Sequence, residues 1–188
     1  MARRLILATG NPGKLREYEE HLRPRGFEIS GYDTEVEETG STYAENASLK
    51  AAAALAATGV TALGDDSGIE LQALGGFPGL RSARLGPTQV ERTATLLEML
   101  AGLPRPWTAL FTCTIALAEP GQPIRTVSGE CRGEVVPDWL GEAGFGYDPV
   151  FLVPEAGRTF GQMEPEEKRR WSHRGAAIGA LLEKGWLS

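Results

Sequence analysis

Three groups of residues in this chain have types and spacings suited to chemistry. The first is Ala8-Thr9-Gly10-Asn11-Pro12-Gly13-Lys14, which follows the apolar run Leu5-Ile6-Leu7 and leads into Leu15, Tyr18 and Leu22, spaced as on one helix face. A strand, a glycine-rich turn, a lysine and a helix start make an anion site. The glycines let backbone N–H groups approach an oxyanion, the helix N-terminus offers unpaired donors, and Lys14 adds a point charge. This is not a Walker A loop, because only Asn11 and Pro12 separate the glycines and Leu15 follows Lys14, so no hydroxyl stands ready for Mg²⁺. The same residues also describe plain strand–turn–helix punctuation.

The second group is acidic. Glu38 lies in a polar loop from Asp33 to Gly40, and Asp65-Asp66-Ser67-Gly68 reads as the end of a buried strand, Val60 to Gly64. Adjacent acids at a strand end repel, so one captures a cation, takes up a proton or points to solvent. Oxygen-only ligands suit a hard ion, and Mg²⁺ uses one or two carboxylates plus substrate phosphates. The competing reading is an ordinary turn closed by Asx and Ser hydrogen bonds. The third group gathers Lys168, His173 and Arg174 with Phe145 and Tyr147. Aromatic rings stack on a base and cationic forks bond its keto edge. Here the competing reading is a solvated helix face, since Lys168-Arg169-Arg170 is a charge run. No Cys/His metal set, G-x-S-x-G elbow or Ser-His-Asp order is visible, which leaves phosphate, hard metal and base as the chemistry on offer.

These groups need elements to hold them. Thr42-Tyr43-Ala44-Glu45 and Thr88-Gln89-Val90-Glu91 are capping boxes, opening helices that end near Thr58-Gly59 and Gly102. Asn46 and Lys50, four apart, share one face of the earlier helix. Phe27 to Ser30 is a short strand, and Ile69 to Ala73 alternates as a half-buried one. Trp107 to Glu119 is the longest strand signal, turned by Pro120-Gly121-Gln122-Pro123 into an antiparallel partner from Ile124 to about Val136. Phe145 to Pro149 is a turn into Val150–Val153, and helical patterns run from about Pro165 to Trp186 with a break near Ser172. Helices and strands interleave, so the expected class is α/β, layered around a mixed sheet.

Bulk properties narrow the function classes. A chain of 188 residues suits a single domain over 1–188, with room for two lobes. Net charge of −6 argues against general nucleic-acid or anionic-membrane binding. Leu5 to Ala8 is too short for a signal peptide or membrane span, and no later apolar run reaches about 18 residues. Cys113 and Cys131 read as small buried hydrophobes in a reducing cytosol. Of the 19 basic residues only Lys14, Lys50, Lys168 and Lys184 are lysine, so a chain that defaults to Arg singles each of them out.

Taken together, the motifs resemble those of the inosine triphosphate pyrophosphatase (Ham1-like) family. They are Thr9 to Lys14, Glu37-Glu38-Thr39-Gly40, Glu45-Asn46-Ala47 with Lys50, Asp65 to Gly68, Gly75-Gly76-Phe77-Pro78-Gly79 with Ser82-Ala83-Arg84, Phe145 to Pro149, and Ser172-His173-Arg174-Gly175. They stand in family order over nearly the whole chain. The resemblance implies a layered α/β/α fold with a long mixed sheet, two lobes and a central cleft, assembled as a cytoplasmic homodimer. It implies Mg²⁺-dependent hydrolysis of ITP, dITP and XTP to the monophosphate and pyrophosphate, removing non-standard purines from the nucleotide pool. By the same resemblance Thr9, Gly10, Asn11, Pro12, Gly13, Lys14 and Lys50 grip the triphosphate, and Glu38 and Asp66 hold Mg²⁺. Asp66 also activates the attacking water with Asp65 in support, and Ser67 contacts substrate beside the metal. Phe145, Gly146, Tyr147, Asp148, Lys168, His173 and Arg174 form the base pocket. Two other readings stay open: a nucleotide-binding module without catalysis, and a pyrophosphatase acting on modified pyrimidine nucleotides.

Overall fold

Residues 3–187 are described by a computed structural model. Alternating hydrophobicity and capping set most element boundaries. β1 (Arg3–Ala8) runs into α1 (Pro12–Leu22), and β2 (Phe27–Tyr32) follows. α2 (Tyr43–Thr58) opens on the Thr42/Glu45 capping box and stops at Gly59, whose φ of 67° closes the last turn. β3 (Ala62–Leu71), α3 (Gln89–Leu100), β4 (Trp107–Ala118) and β5 (Arg125–Val135) come next. The chain ends with β6 (Phe151–Val153), β7 (Arg158–Thr159), α4 (Pro165–Trp171) and α5 (His173–Glu183). The expected break near Ser172 is real: Ser172 is extended and caps α4 before α5 begins.

The strands form one seven-stranded sheet in the order β2-β1-β3-β4-β5-β6-β7. β1 pairs parallel with β2 and with β3, while β6 pairs antiparallel with β5 and with β7, so the sheet is mixed as expected. One expectation fails in an instructive way. Asp65-Asp66-Ser67-Gly68 is not a strand end or a turn but the middle of β3, which continues to Leu71. Its Asp, Ser and Gly are turn-formers by propensity, and burial against neighbouring strands overrides that preference.

The chain divides into two compact units, the first comprising residues 1–66, 113–129 and 174–188 and the second residues 67–112 and 130–173. In the first, β1 buries both faces. Leu5 and Leu7 pack with Tyr18 and Leu22 of α1 and with Ala177 and Ile178 of α5, while Ile6 and Ala8 pack with Ala54 of α2. The second has one core, in which Leu96 and Leu100 of α3 meet Ile69, Leu71, Trp107, Phe111, Phe151 and Phe160. Among the described residues no helix is long and apolar enough to cross a membrane.

The alanine-rich face of α2 has a specific use. A Cβ on Gly64 would overlap the carbonyl oxygen of Ala47 and lie 2.8 Å from the amide nitrogen of Ala51. Helix backbone therefore rests directly on β3, which fixes how far Asn46 and Lys50 stand from Asp66. Backbone cannot swing aside as a side chain can, so Gly64→Ala is expected to cost about 3 kcal/mol, at the upper end for overpacking. Chemical denaturation of the variant beside wild type checks this.

Candidate active site

Because β3 is a continuous strand, neighbouring side chains point to opposite faces of the sheet. Asp65 shares its side with Leu63 and the α1/α5 layer. Asp66 shares its side with Ala62, Gly64 and α2. The two acids consequently meet different surroundings.

Asp65 has no exposed side-chain surface. Its Oδ1 accepts from Lys14 Nζ at 2.6 Å, and its Oδ2 from Arg174 Nε at 2.7 Å and the Tyr18 hydroxyl at 2.9 Å. The Cys113 thiol adds a longer contact at 3.3 Å. Burial alone pushes the Asp65 carboxyl up, but the charges and hydrogen bonds of Arg174 and Lys14 outweigh it and hold the group well below the usual carboxylate range. Burial and the Asp65 charge push Tyr18 and Cys113 well up, so both remain protonated donors. Arg174 is itself 2% exposed and also pairs with Glu17 at 2.7 Å.

Asp66 sits among fewer and weaker partners. Lys50 Nζ lies 3.2 Å from Asp66 Oδ1 and 2.8 Å from Glu38 Oε1, so one ammonium bridges both carboxylates. Asn46 Nδ2 donates to Asp66 Oδ2 at 3.2 Å. Burial raises the Asp66 pKa, Glu38 adds to the rise, and the Lys50 and Lys14 charges only partly offset it. Lys50 is held above its ordinary value: burial pulls it down, but the Asp66 and Glu38 charges win. Glu38 and Asp66 are thus a close all-oxygen pair, a donor set that fits Mg²⁺, which keeps several waters and takes substrate phosphates. Among the described residues no group of three or more His, Cys, Asp or Glu could make a dedicated metal cage.

The glycine-rich loop is more committed than its sequence suggests. Asn11 caps α1, its Oδ1 accepting from the amides of Gly13 at 2.8 Å and Lys14 at 3.3 Å, and its own amide donates to Thr9 Oγ1 at 3.1 Å. Two amides expected to face an oxyanion are therefore already satisfied. A Cβ on Gly10 would fall 2.5 Å from a carboxylate oxygen of the exposed Asp33 side chain, so the loop and Asp33 lie close together.

In the second unit, Lys168 Nζ pairs with Asp148 Oδ2 at 2.5 Å and lies 4.8 Å from the Phe145 ring centre. The Phe145 amide also donates to Asp148 Oδ2, at 2.7 Å. Gly144 and Gly146, with φ of 77° and 64°, shape this loop, and a Cβ on Gly144 would overlap Asp148. Phe145 is half-buried. Tyr147 is core instead, 6% exposed, with its hydroxyl on the Ser82 carbonyl at 2.6 Å. The His173 ring stacks on Phe111 with centres 4.5 Å apart and planes 8° apart. Ser67 is half-buried on β3.

The named residues therefore gather in two sets: Thr9 to Lys14, Glu38, Lys50, Asp65, Asp66 and Arg174 in the first unit, and Ser67, Phe145 to Asp148, Lys168 and His173 in the second. Arg174, expected with the aromatic group, lies with the acids. Glu17, Tyr18, Cys113 and Asn46 were not singled out for the site. Tyr18 looked like an apolar helix position and Cys113 like an inert strand residue. Only Asn46 carried a signal, its spacing of four from Lys50.

An α/β chain that sets a carboxylate pair on a lysine bridge, with a second, half-buried lysine in the same unit, carries the fixed charges that polyanions require. More narrowly, the chain belongs to the Ham1 family, whose sequence profile matches residues 5–184. It is 50% identical over 184 residues to the dITP/XTP pyrophosphatase of Gloeobacter violaceus, covering 97% of this chain and 94% of that one. With the dITP/XTP pyrophosphatase of Desulforamulus reducens it shares 46% over 189 residues, covering 96% and 94%. The Staphylococcus aureus Ham1 protein superposes with a TM-score of 0.82 at 36% identity, over 97% of this chain and all of that one.

Breaking a buried ion pair from one side leaves an uncompensated charge. Asp65→Asn, which leaves Lys14 and Arg174 short of a countercharge, is accordingly expected to destabilise the fold by about 3–5 kcal/mol at neutral pH. Because the folded pKa is depressed, this stabilisation is present above the ordinary carboxylate value of about 3.9. It is lost as pH falls from there toward the folded value, so the gap from wild type should shrink below that point. Thermal unfolding of both proteins across the acid range measures it.

Proposed function

We propose that the protein is a nucleoside-triphosphate pyrophosphatase that hydrolyses ITP, dITP and XTP to the monophosphate and pyrophosphate. The observation that carries this reading is the Glu38–Lys50–Asp66 bridge on the face of β3 opposite the Lys14–Asp65 pair, in a chain about half identical to dITP/XTP pyrophosphatases. Asp66 is the general base. Its partners are one shared lysine and a neutral amide, which leaves it lone pairs for a water, while Asp65, locked by Lys14 and Arg174, is a poor acceptor. It orients water for in-line attack on the α-phosphorus and takes up the proton. The Lys14 ammonium also lies 3.4 Å from the Asp65 carbonyl and its charge is felt at Asp66, so Lys14 joins Lys50 in supplying fixed positive charge where the pyrophosphate departs, and no covalent nucleophile is required. Mg²⁺, held by Glu38 and Asp66, would neutralise further charge on the leaving group.

The second unit's set supplies base recognition in this reading. Phe145 offers a ring face, and Lys168 and Asp148 a charged donor–acceptor pair. A 6-keto purine presents an acceptor where adenine presents a donor, and a site built to donate there leaves its own groups unpaired against adenine. Arg174, buried and held by Asp65 and Glu17, serves in this reading to fix Asp65 and not to meet the base. Working as a cytoplasmic homodimer, such an enzyme keeps non-standard purines out of DNA and RNA.

The deciding assay offers ITP, dITP, XTP, ATP, GTP and dUTP with Mg²⁺ and separates pyrophosphate from inorganic phosphate. Pyrophosphate should appear from the first three, with kcat/KM at least about 10²-fold above that for ATP. Equal turnover of ATP, preference for dUTP, or release of inorganic phosphate would each defeat the reading.

A further inference from the structure

We propose that Asn46 is a positioning residue for the reaction, holding Asp66 and the loop that carries Glu38 in register. The inference rests on the pyrophosphatase reading of the site and concerns a residue to which that reading gives no task.

Asn46 is 2% exposed on the first turn of α2, so its amide must find partners within the protein. Its Oδ1 accepts from the Gly40 amide at 2.8 Å, and its Nδ2 donates to Asp66 Oδ2 at 3.2 Å. The chemistry of the partners fixes this orientation. A backbone N–H can only donate and an ionised carboxylate can only accept, so the side-chain carbonyl must face Gly40 and the NH₂ must face Asp66. No other side chain of this size carries both functions in that geometry. Aspartate lacks the donor, leucine lacks both groups, and glutamine places them one methylene further out.

Gly40 fits the same arrangement. A Cβ there would stand 2.6 Å from Asn46 Oδ1 and 2.6 Å from the Glu45 Cβ, so the loop backbone lies flat against the start of α2. Glu38 is two residues before Gly40 and meets Asp66 again through Lys50. Asn46 therefore closes a ring running Gly40, Asn46, Asp66, Lys50 and Glu38. With Oδ2 of Asp66 fixed by Asn46 and Oδ1 by Lys50, the carboxylate plane is set by two partners, and a water can be oriented against it. Losing the Asn46 bond leaves the carboxylate free to rotate about its Cβ–Cγ bond while Lys50 still holds one oxygen.

Two variants separate the bonds. Asn46→Asp keeps the acceptor for Gly40 and removes the donor to Asp66, and Asn46→Leu removes both without adding charge. Both should lower kcat for ITP by about 10²-fold, the size of effect a small misplacement of a reacting group produces. KM should stay within about three-fold of wild type, because the phosphate-gripping lysines are untouched. The Gly40 amide should exchange with deuterium as slowly as in wild type in Asn46→Asp and faster in Asn46→Leu, and both should melt lower, Asn46→Asp because its carboxylate faces that of Asp66. A fall in kcat in both variants excludes the introduced charge as the cause. Wild-type kcat in either variant, or a loss that appears only in KM, would overturn the inference while leaving the pyrophosphatase reading intact. Wild-type protein that releases no pyrophosphate would instead defeat that reading, and this inference with it.

Discussion

A carboxylate with no exposed surface, Asp65, is the interaction on which the first unit depends. It gathers Lys14 from the start of α1, Tyr18 from α1's second turn, Cys113 from β4 and Arg174 from α5. An unpaired charge at this depth would be prohibitive; paired with two cations and two neutral donors, it becomes a clamp on elements far apart in sequence. The clamp also sets the electrostatics. Lys14 and Arg174 are fixed in place by it, and for Lys14 that is the preorganisation the proposed reaction would use.

Asp66 is the neighbour of Asp65 in sequence and differs from it in kind. Period-two alternation turns it to the α2 face, where a single lysine serves two carboxylates and the remaining partner is a neutral amide. Burial without matching countercharge raises its pKa, so keeping it ionised at neutral pH costs stability. An acid kept where it weakens the fold, beside one kept where it strengthens it, is the pattern expected of a proton acceptor and its support. Gly64 and Gly40 belong to the same arrangement, because the helix and loop carrying Asn46, Lys50 and Glu38 approach Asp66 only where no side chain intervenes.

Much of this was legible in the sequence. Both capping boxes, the glycine stop after α2, the break at Ser172 and the mixed α/β order follow from local chemistry that packing did not override. The continuity of β3 did not, because Asp-Asp-Ser-Gly favours turns in isolation and becomes strand only when flanking strands supply ladder partners. With that continuity hidden, the opposite facing of Asp65 and Asp66 was hidden too, and mutual repulsion looked like the main issue. β7, with only Arg158 and Thr159, is too short to leave a periodic signal. The long-range partners of Asp65 were equally out of reach, since nothing local links Tyr18, Cys113 and Arg174. The scarcity of lysine, by contrast, did lead to structured positions: Lys14, Lys50 and Lys168 all sit in buried or half-buried ion pairs.

The account stands on a division of labour within one pair of neighbouring acids. Its most direct test is Asp66→Asn, measured for both turnover and thermal stability. Losing the base should lower kcat for ITP by about 10²–10⁴-fold, while the melting temperature holds or rises because a strained charge has gone. Turnover at the wild-type rate, or a variant that loses activity only because it unfolds, would contradict the claim that Asp66 is maintained for chemistry and Asp65 for the fold.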